Sequence, residues 1–589
     1  MKFRLIAAIV ATIVMNGFAQ DNTLVLDVSN ARDTIRKDVY GGLLEDWGRD
    51  MYNGIYVGKS SSIPNTNGMR NDIIAGLKEI DIGVMQFPGG CKAEVYHWKN
   101  GVGTTRAGGD MVNGMGTDEY FQLCELVGSA PFIQANCKEG SPAEMKAWLE
   151  YINENFPDKL KYLGMGNEPW GGCYTGITVD AYLTNWYDKF NVAIPEVFNG
   201  KIVRIAAAGF NDENTTNFSW TDEVLRREIG NVEGISWHYY TSRTWNDAQR
   251  YSCMDFNEAD YYGMLKLGYN IEAIGKKVMA IMDQRDPNNT ISLQPDEWGA
   301  WNQAIPDMGL SYQQMTVREA QLTAQHLNYF NNNCKRIRMA QCAQPVNAIH
   351  SFFLTKNPPT TELIKTPAFY VYKLYVPHHN AIMVPSTLTC GKVNDLPVMT
   401  ASASVKNGLL HISVNNFHAT ATQTLSITIN GETYEKITGQ IVNGPHFNSY
   451  NDYGKAEAVT LQTFESSNFS LNGNKVTVTL PAHSVVMLEL TSPNVGTISN
   501  GRREKSQKIS VIKTLGNQIV VKHGLASSTP VTLSLFTIDG KSAVPAYCTV
   551  AGTGSLKWRP NVSGSNGRIY TLRINAEGVN QSQKVILTE

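Results

Sequence analysis

Between residues 38 and 375 short apolar runs alternate with longer amphipathic stretches, and this rhythm limits the fold more than any single motif does. The runs are VYGGLLE, VMQFPGG, PFIQANC, YLGMGNE, VRIAAAG, GISWHYY and ISLQPDE, each leading into a polar or Gly-rich turn. Between them lie stretches with helical spacing, such as RNDIIAGLKEI and PAEMKAWLEYI. Strands that recur with a helix after each one form a parallel sheet covered by helices. The length of the alternation predicts an α/β architecture, an eight-stranded (β/α)8 TIM barrel over residues 38–380.

From 381 to 490 the pattern changes to strand-like runs without helices: GLLHISVNN, TLSITIN, AVTLQTF, KVTVTLP and SVVMLEL. A C-terminal β-sandwich is the natural reading. Residues 491–508, TSPNVGTISNGRREKSQK, lack apolar periodicity and read as a linker. Beyond it, ISVIKTLGNQIVVKH, VTLSLFTIDGK and GRIYTLRINAEG make a small all-β module over 509–589. A chain of 589 residues has room for several such domains.

Residues 1–19 read as an export signal: Lys2 and Arg4 at the positive end, Leu5 to Met15 apolar, Gly17 and Ala19 small before a cut. The apolar stretch is short of the roughly 20 residues a membrane span needs, and no later segment is long enough. A secreted or cell-surface protein is the expectation. The net charge of −2 argues against a nucleic-acid partner. Nine cysteines stand without a repeated short spacing, so most are expected as buried thiols; export would permit a bridge, which the sequence does not assign. No CxxC pair or paired-histidine spacing suggests zinc, so the chemistry is expected to need neither metal nor cofactor.

Two glutamates carry the chemistry. Glu168 in KYLGMGNEPWGG and Glu297 in TISLQPDEWGAWN each close an apolar run, and each is flanked by tryptophan. A glycosidic bond breaks through a cationic transition state; one carboxylic acid protonates the leaving oxygen and a second carboxylate stabilises or attacks the anomeric carbon. A strand end is a rigid mount for such a group, and tryptophan offers a flat face to a sugar ring. A lone glutamate after a strand is more commonly a cap or a surface charge, so the pair needs support.

That support is a resemblance. The run SSIPNTNGMRNDIIAGLKEIDIGVMQFPGG, the GNE around Glu168, the DEW around Glu297 and AQPVNAI around Gln344 resemble, in order and separation, the α-L-arabinofuranosidases of glycoside hydrolase family 51. The likeness spans most of residues 22–490. It implies Glu168 as general acid/base and Glu297 as nucleophile, after the fourth and seventh barrel strands, with retention of configuration. It implies Asn167 on a sugar hydroxyl, Tyr240 and His238 supporting the nucleophile, and Glu45 and Gln344 binding substrate. Residues 20–37 would add a strand, TLVLDVS, to the sandwich. Members of that family often form homo-oligomers, on which no feature of the sequence bears. The module at 509–589 resembles, more loosely, the sorting domains of type IX secretion, which would make secretion machinery a partner; the alternative is an accessory sandwich that binds carbohydrate or merely packs.

The chain departs from the family at Gln86, where many relatives carry arginine before the aromatic and PGG. A neutral amide replaces a charged fork there, so a substrate contact is expected to be weaker or altered. Cys91, after PGG, is either a sugar contact or a small loop thiol. Trp47, Trp98, Trp170, Trp298 and Trp301 divide, unsorted by sequence, between cleft and core. The expected activity is removal of terminal arabinofuranose from polysaccharides such as arabinoxylan or arabinan. The rivals are another retaining glycosidase on the same barrel, an endo-glucanase or xylosidase, and a carbohydrate-binding protein without turnover.

Overall fold

A computed structural model describes residues 21–103, 114–171, 173, 176–210 and 218–492, together with 509–515, 518–523, 530–537, 541–550, 555–562, 568–576 and 579–587. The segment expected as an export signal lies outside the described residues, as does nearly all of the expected linker. The chain divides into two units, 1–500 and 501–589.

The first unit contains a closed barrel of eight strands: β1 (Gly41–Leu43), β2 (Val84–Phe87), β3 (Ala130–Ala135), β4 (Tyr162–Met165), β5 (Val203–Phe210), β6 (Gly234–Thr241), β7 (Ser292–Ala300) and β8 (Gln341–Ala343). Every neighbouring pair is parallel, and β8 closes on β1 with Cys342 opposite Gly42. Seven of the strands coincide with the apolar runs of the sequence. The eighth has only three residues and begins with a glutamine, too short to show a pattern. Gly41 is required at the closure: a Cβ there would sit 2.4 Å from Val84 Cγ1 and 2.6 Å from the Ala340 carbonyl.

A sandwich of a five-stranded and a seven-stranded sheet follows. The N-terminal strand Asn22–Asp27 joins it, parallel to Gln423–Asn430 and antiparallel to Ser386–Thr389, so the chain starts in the sandwich, builds the barrel and returns. Its alternation buries Leu24 and Leu26 with Ile427, Val478 and Leu488. Several sandwich strands go beyond those read from sequence, the longest being Met399–Lys406 and Lys436–Asn443. The first, MTASASVK, lies against the helix Val317–Asn332 and is built of small polar residues that bond to it. Asn328 Nδ2 donates to Thr400 Oγ1 (3.0 Å), Asn331 Nδ2 to Ser402 Oγ (3.1 Å) and, from the adjoining strand, Asn415 Nδ2 to Gln321 Oε1 (3.0 Å). This explains how a helix rich in glutamine and asparagine is buried almost throughout.

The second unit has its own core, including Ile519, Val521, Leu533, Leu572 and Trp558, between a three-stranded and a four-stranded antiparallel sheet. No helix among the described residues is long and apolar enough to cross a membrane.

Candidate active site

The C-terminal ends of the barrel strands surround a cavity of about 460 Å³. Glu45, Trp47, Cys91, Glu168, Trp170, Tyr240, Trp245, Glu297, Trp301, Gln344 and Ile349 line it. Glu297 lies within β7 and Glu168 three residues beyond β4, in the order the resemblance implies. Glu168 takes a positive φ of 42°, a conformation that side-chain-bearing residues rarely adopt, and this turns its carboxylate toward β6 and β7.

Strand pairing sets His238 opposite Glu297, and period-two alternation puts Tyr240 on the same face. The Tyr240 hydroxyl donates to Glu297 Oε2 at 2.9 Å. His238 Nδ1 lies 2.7 Å from Glu168 Oε1 and 3.4 Å from Glu297 Oε2, and its Nε2 lies 3.6 Å from Asp296 Oδ1. His238 therefore bridges the two glutamates, with its shorter contact to Glu168 rather than to the residue it was expected to support. Glu297 Oε1 accepts no hydrogen bond from the described residues.

Burial works against a charge on His238, but Glu297, the hydrogen bond and charge of Glu168, and Asp296 outweigh it and raise the ring to about 10. That balance favours the imidazolium form. Burial raises Glu297 above the ordinary carboxylate range, the neighbouring carboxylates Glu168, Glu45 and Asp296 add to the rise, and the His238 charge offsets only part of it. Asp296, raised by burial, is opposed by His238 and by the hydroxyl of Ser236, which donates to it at 2.7 Å.

Glu45 is buried and raised to about 7 by burial, opposed by the Lys92 amide and the side chain of Gln344. Gln344 Nε2 donates to Glu45 Oε2 at 2.8 Å. Asp50 holds both strand ends, accepting from the amides of Glu45 (3.0 Å) and Val346 (2.9 Å).

Other expectations need correction. Gln86 does not line the cavity: it is buried, and its Nε2 reaches Gln134 Oε1 (3.3 Å) inside the barrel. Its alternation along β2, two residues on from the buried Val84, turns it into the barrel interior. Cys91 is not a thiol but is disulfide-bonded to Cys173, tying the loop after β2 to the loop after β4. Asn167, the residue before Glu168, is buried, with Nδ2 donating to Cys173 Sγ (3.1 Å). Trp47, Trp170 and Trp301 line the cavity, whereas Trp298 is fully buried and Trp98 packs on Tyr151. Trp245, 45% exposed at the rim and edge-on to Trp301, carried no sequence signal because it stands in a loop.

Glu168, His238 and Glu297 each place one polar atom within 4.8 Å of the others, a spacing a metal ion could bridge. The same trio can also pass protons, His238 being hydrogen-bonded to Glu168. Two carboxylates this close, in a sugar-sized pocket at the mouth of a (β/α)8 barrel, define a glycoside hydrolase.

The comparisons narrow the class. Residues 296–484 match the family described as the α-L-arabinofuranosidase C-terminal domain. An intracellular exo-α-L-arabinofuranosidase of Bacteroides ovatus is 33% identical, over 83% of this chain and 100% of that protein. The crystal structure of the GH51 arabinofuranosidase from Xanthomonas axonopodis pv. citri superposes with a TM-score of 0.74 at 30% identity, covering 80% of this chain and all of that one. A probable α-L-arabinofuranosidase C of Aspergillus clavatus is 24% identical over 79% of this chain and 96% of its own length. The chain belongs to the α-L-arabinofuranosidases of glycoside hydrolase family 51. The expectation of export is overturned by the Bacteroides ovatus relative, an enzyme named as intracellular that matches over its whole length and points away from secretion.

Proposed function

We propose that the enzyme releases terminal arabinofuranose from arabinoxylan- or arabinan-type side chains by double displacement, with Glu297 as nucleophile and Glu168 as general acid/base. The observation that carries this reading is the approach of the two carboxylates, with one oxygen of each within 4.8 Å. That spacing suits a retaining pair, about 5–5.5 Å apart, rather than an inverting pair, which leaves room for a water.

In the first step Glu297 Oε1 attacks the anomeric carbon while Glu168 gives its proton to the departing oxygen. In the second, Glu168 takes a proton from water, and the hydroxide displaces Glu297. The His238 cation and the Tyr240 hydroxyl stabilise the carboxylate form of Glu297, which must be ionised to attack. Glu168, with 14% of its side chain exposed against 7% for Glu297, is the better placed to exchange protons with water. Glu45 and Gln344 would hold sugar hydroxyls, and the disulfide, Trp47 and Trp301 would shape the walls.

The barrel over 38–380 then carries the reaction, and the sandwich over 381–490 with strand 20–37 supports it. For residues 509–589 we infer an accessory role; the likeness to type IX sorting domains rests on sequence alone.

The test is hydrolysis of a nitrophenyl α-L-arabinofuranoside by the wild type, Glu168→Ala and Glu297→Ala, with and without azide. Release by the wild type, loss in both variants and an azide adduct of retained configuration from Glu168→Ala are expected. Binding of arabinose by a folded wild type without turnover would replace this reading with that of a binding protein.

A further inference from the structure

We infer that Glu94 is a positioning residue for Glu168, holding the acid/base loop in its unusual backbone conformation; this rests on the reading of Glu168 given above. Glu94 stands in the short turn Cys91–Val95 after β2 and has no exposed surface. Its Oε1 accepts from the backbone N–H of Asn167 at 2.5 Å. Its Oε2 accepts from the N–H groups of Cys137 (3.1 Å) and Lys138 (2.8 Å). One carboxylate therefore joins the loops that follow β3 and β4, and its grip falls on the residue immediately before Glu168.

The same turn holds the loop a second time. Cys91, three residues before Glu94, is bonded to Cys173, five residues after Glu168. The segment from 167 to 173 is thus fixed at both ends by residues 91–95. The residue between these ties is the one that needs restraint: Glu168 has φ +42°, and a side chain in that region returns to ordinary backbone geometry unless its surroundings forbid it. A buried carboxylate is a costly way to fill space, and packing alone would be met by an apolar side chain. Its two acceptor oxygens, facing amides from two loops, supply what an apolar residue or an amide cannot, because a carboxamide presents a donor on one side.

The experiment compares kcat/KM of wild type, Glu94→Gln and Glu168→Gln on two substrates. A dinitrophenyl arabinofuranoside has a leaving group that departs without protonation; an arabino-oligosaccharide needs its leaving oxygen protonated. A misplaced acid slows only the second, so Glu94→Gln should lose about 10- to 100-fold on the oligosaccharide and less than about threefold on the dinitrophenyl substrate. Loss of fold alone would lower both equally. Glu94→Asp, one methylene too short to span both loops, should show the same pattern and replaces Glu94→Gln if that variant does not fold. An equal loss on both substrates, no loss, or two variants that both fail to fold would overturn the inference while Glu168→Gln still shows the leaving-group pattern. If Glu168→Gln itself lacks that pattern, the acid/base reading fails and this inference falls with it.

Discussion

Replacing His238 by asparagine removes a buried cation while leaving a neutral amide near the position of Nδ1, so the substitution isolates charge from contact. The ring nitrogen stands 3.4 Å from Glu297 Oε2. At an effective dielectric constant of about 20, unit charges at that distance attract by about 5 kcal/mol. With one pKa unit worth about 1.4 kcal/mol, the cation lowers the Glu297 pKa by at most about three to four. Water entering the altered site returns part of this, so a rise of at least about one is expected when the cation is removed. The direction follows from charge: losing a cation disfavours the ionised carboxylate, the Glu297 pKa rises, and a smaller fraction is ionised at any given acidic pH. Since Glu297 attacks as the anion, the acid limb of the kcat/KM profile moves toward alkaline pH. Below that limb, activity relative to wild type falls about tenfold for each pH unit the limb moves. The assay is kcat/KM on an aryl arabinofuranoside from about pH 4 to 9, spanning the ordinary carboxylate range and the raised one, with circular dichroism and unfolding temperature as controls on fold. A folded variant whose acid limb stays in place, or moves to lower pH, would refute the claim that His238 acts on Glu297 as a charge.

Three further outcomes are expected. Tyr240→Phe removes the hydroxyl that donates to Glu297 at 2.9 Å, and a hydrogen bond to a charged group is worth about 1.5–3 kcal/mol, so kcat/KM should fall about 10- to 100-fold with the fold unchanged. Glu45, raised to about 7 when folded, binds its proton more tightly in the native than in the unfolded chain, so its burial costs stability progressively as pH rises from the ordinary carboxylate range through 7. Glu45→Gln should therefore be more stable than wild type at about pH 8, by up to about 3 kcal/mol, with no difference below about pH 4, in denaturant unfolding at the two pH values. The Cys91–Cys173 bond closes a loop with a sequence separation of 82, for which chain entropy gives about 4–5 kcal/mol; reductant should lower the unfolding temperature of wild type but not of a Cys91→Ser/Cys173→Ser variant. An unfolded, unreduced chain should titrate as seven thiols and a reduced one as nine.

What the sequence made legible is what one strand or helix records by itself. An apolar run buried on both faces, such as Ser292–Ala300, announces a parallel strand, and its last polar residue marks the open end of the barrel. Glu168, Glu297 and Tyr240 are therefore visible as strand-end residues, with the family resemblance attaching roles to them. Gln341–Ala343 is too short for a pattern, and Met399–Lys406 is built of small residues because it meets a helix rather than an apolar sheet. Gln86 shows the limit of reading by position: the apolar run places it in β2, but its neighbour is Gln134 on the next strand.

What stayed hidden is whatever depends on two segments at once. Cys91 and Cys173 meet because barrel strands deliver their loops to one rim, and nothing in either local sequence records the other. The same holds for the charge balance. His238 can be assigned to the face of β6 that carries Tyr240, but not to a partner, because both glutamates stand within reach of that face. The partner matters for the chemistry. A cation bonded to Glu168 and near Glu297 acts on both carboxylates, so removing it cannot perturb the nucleophile alone.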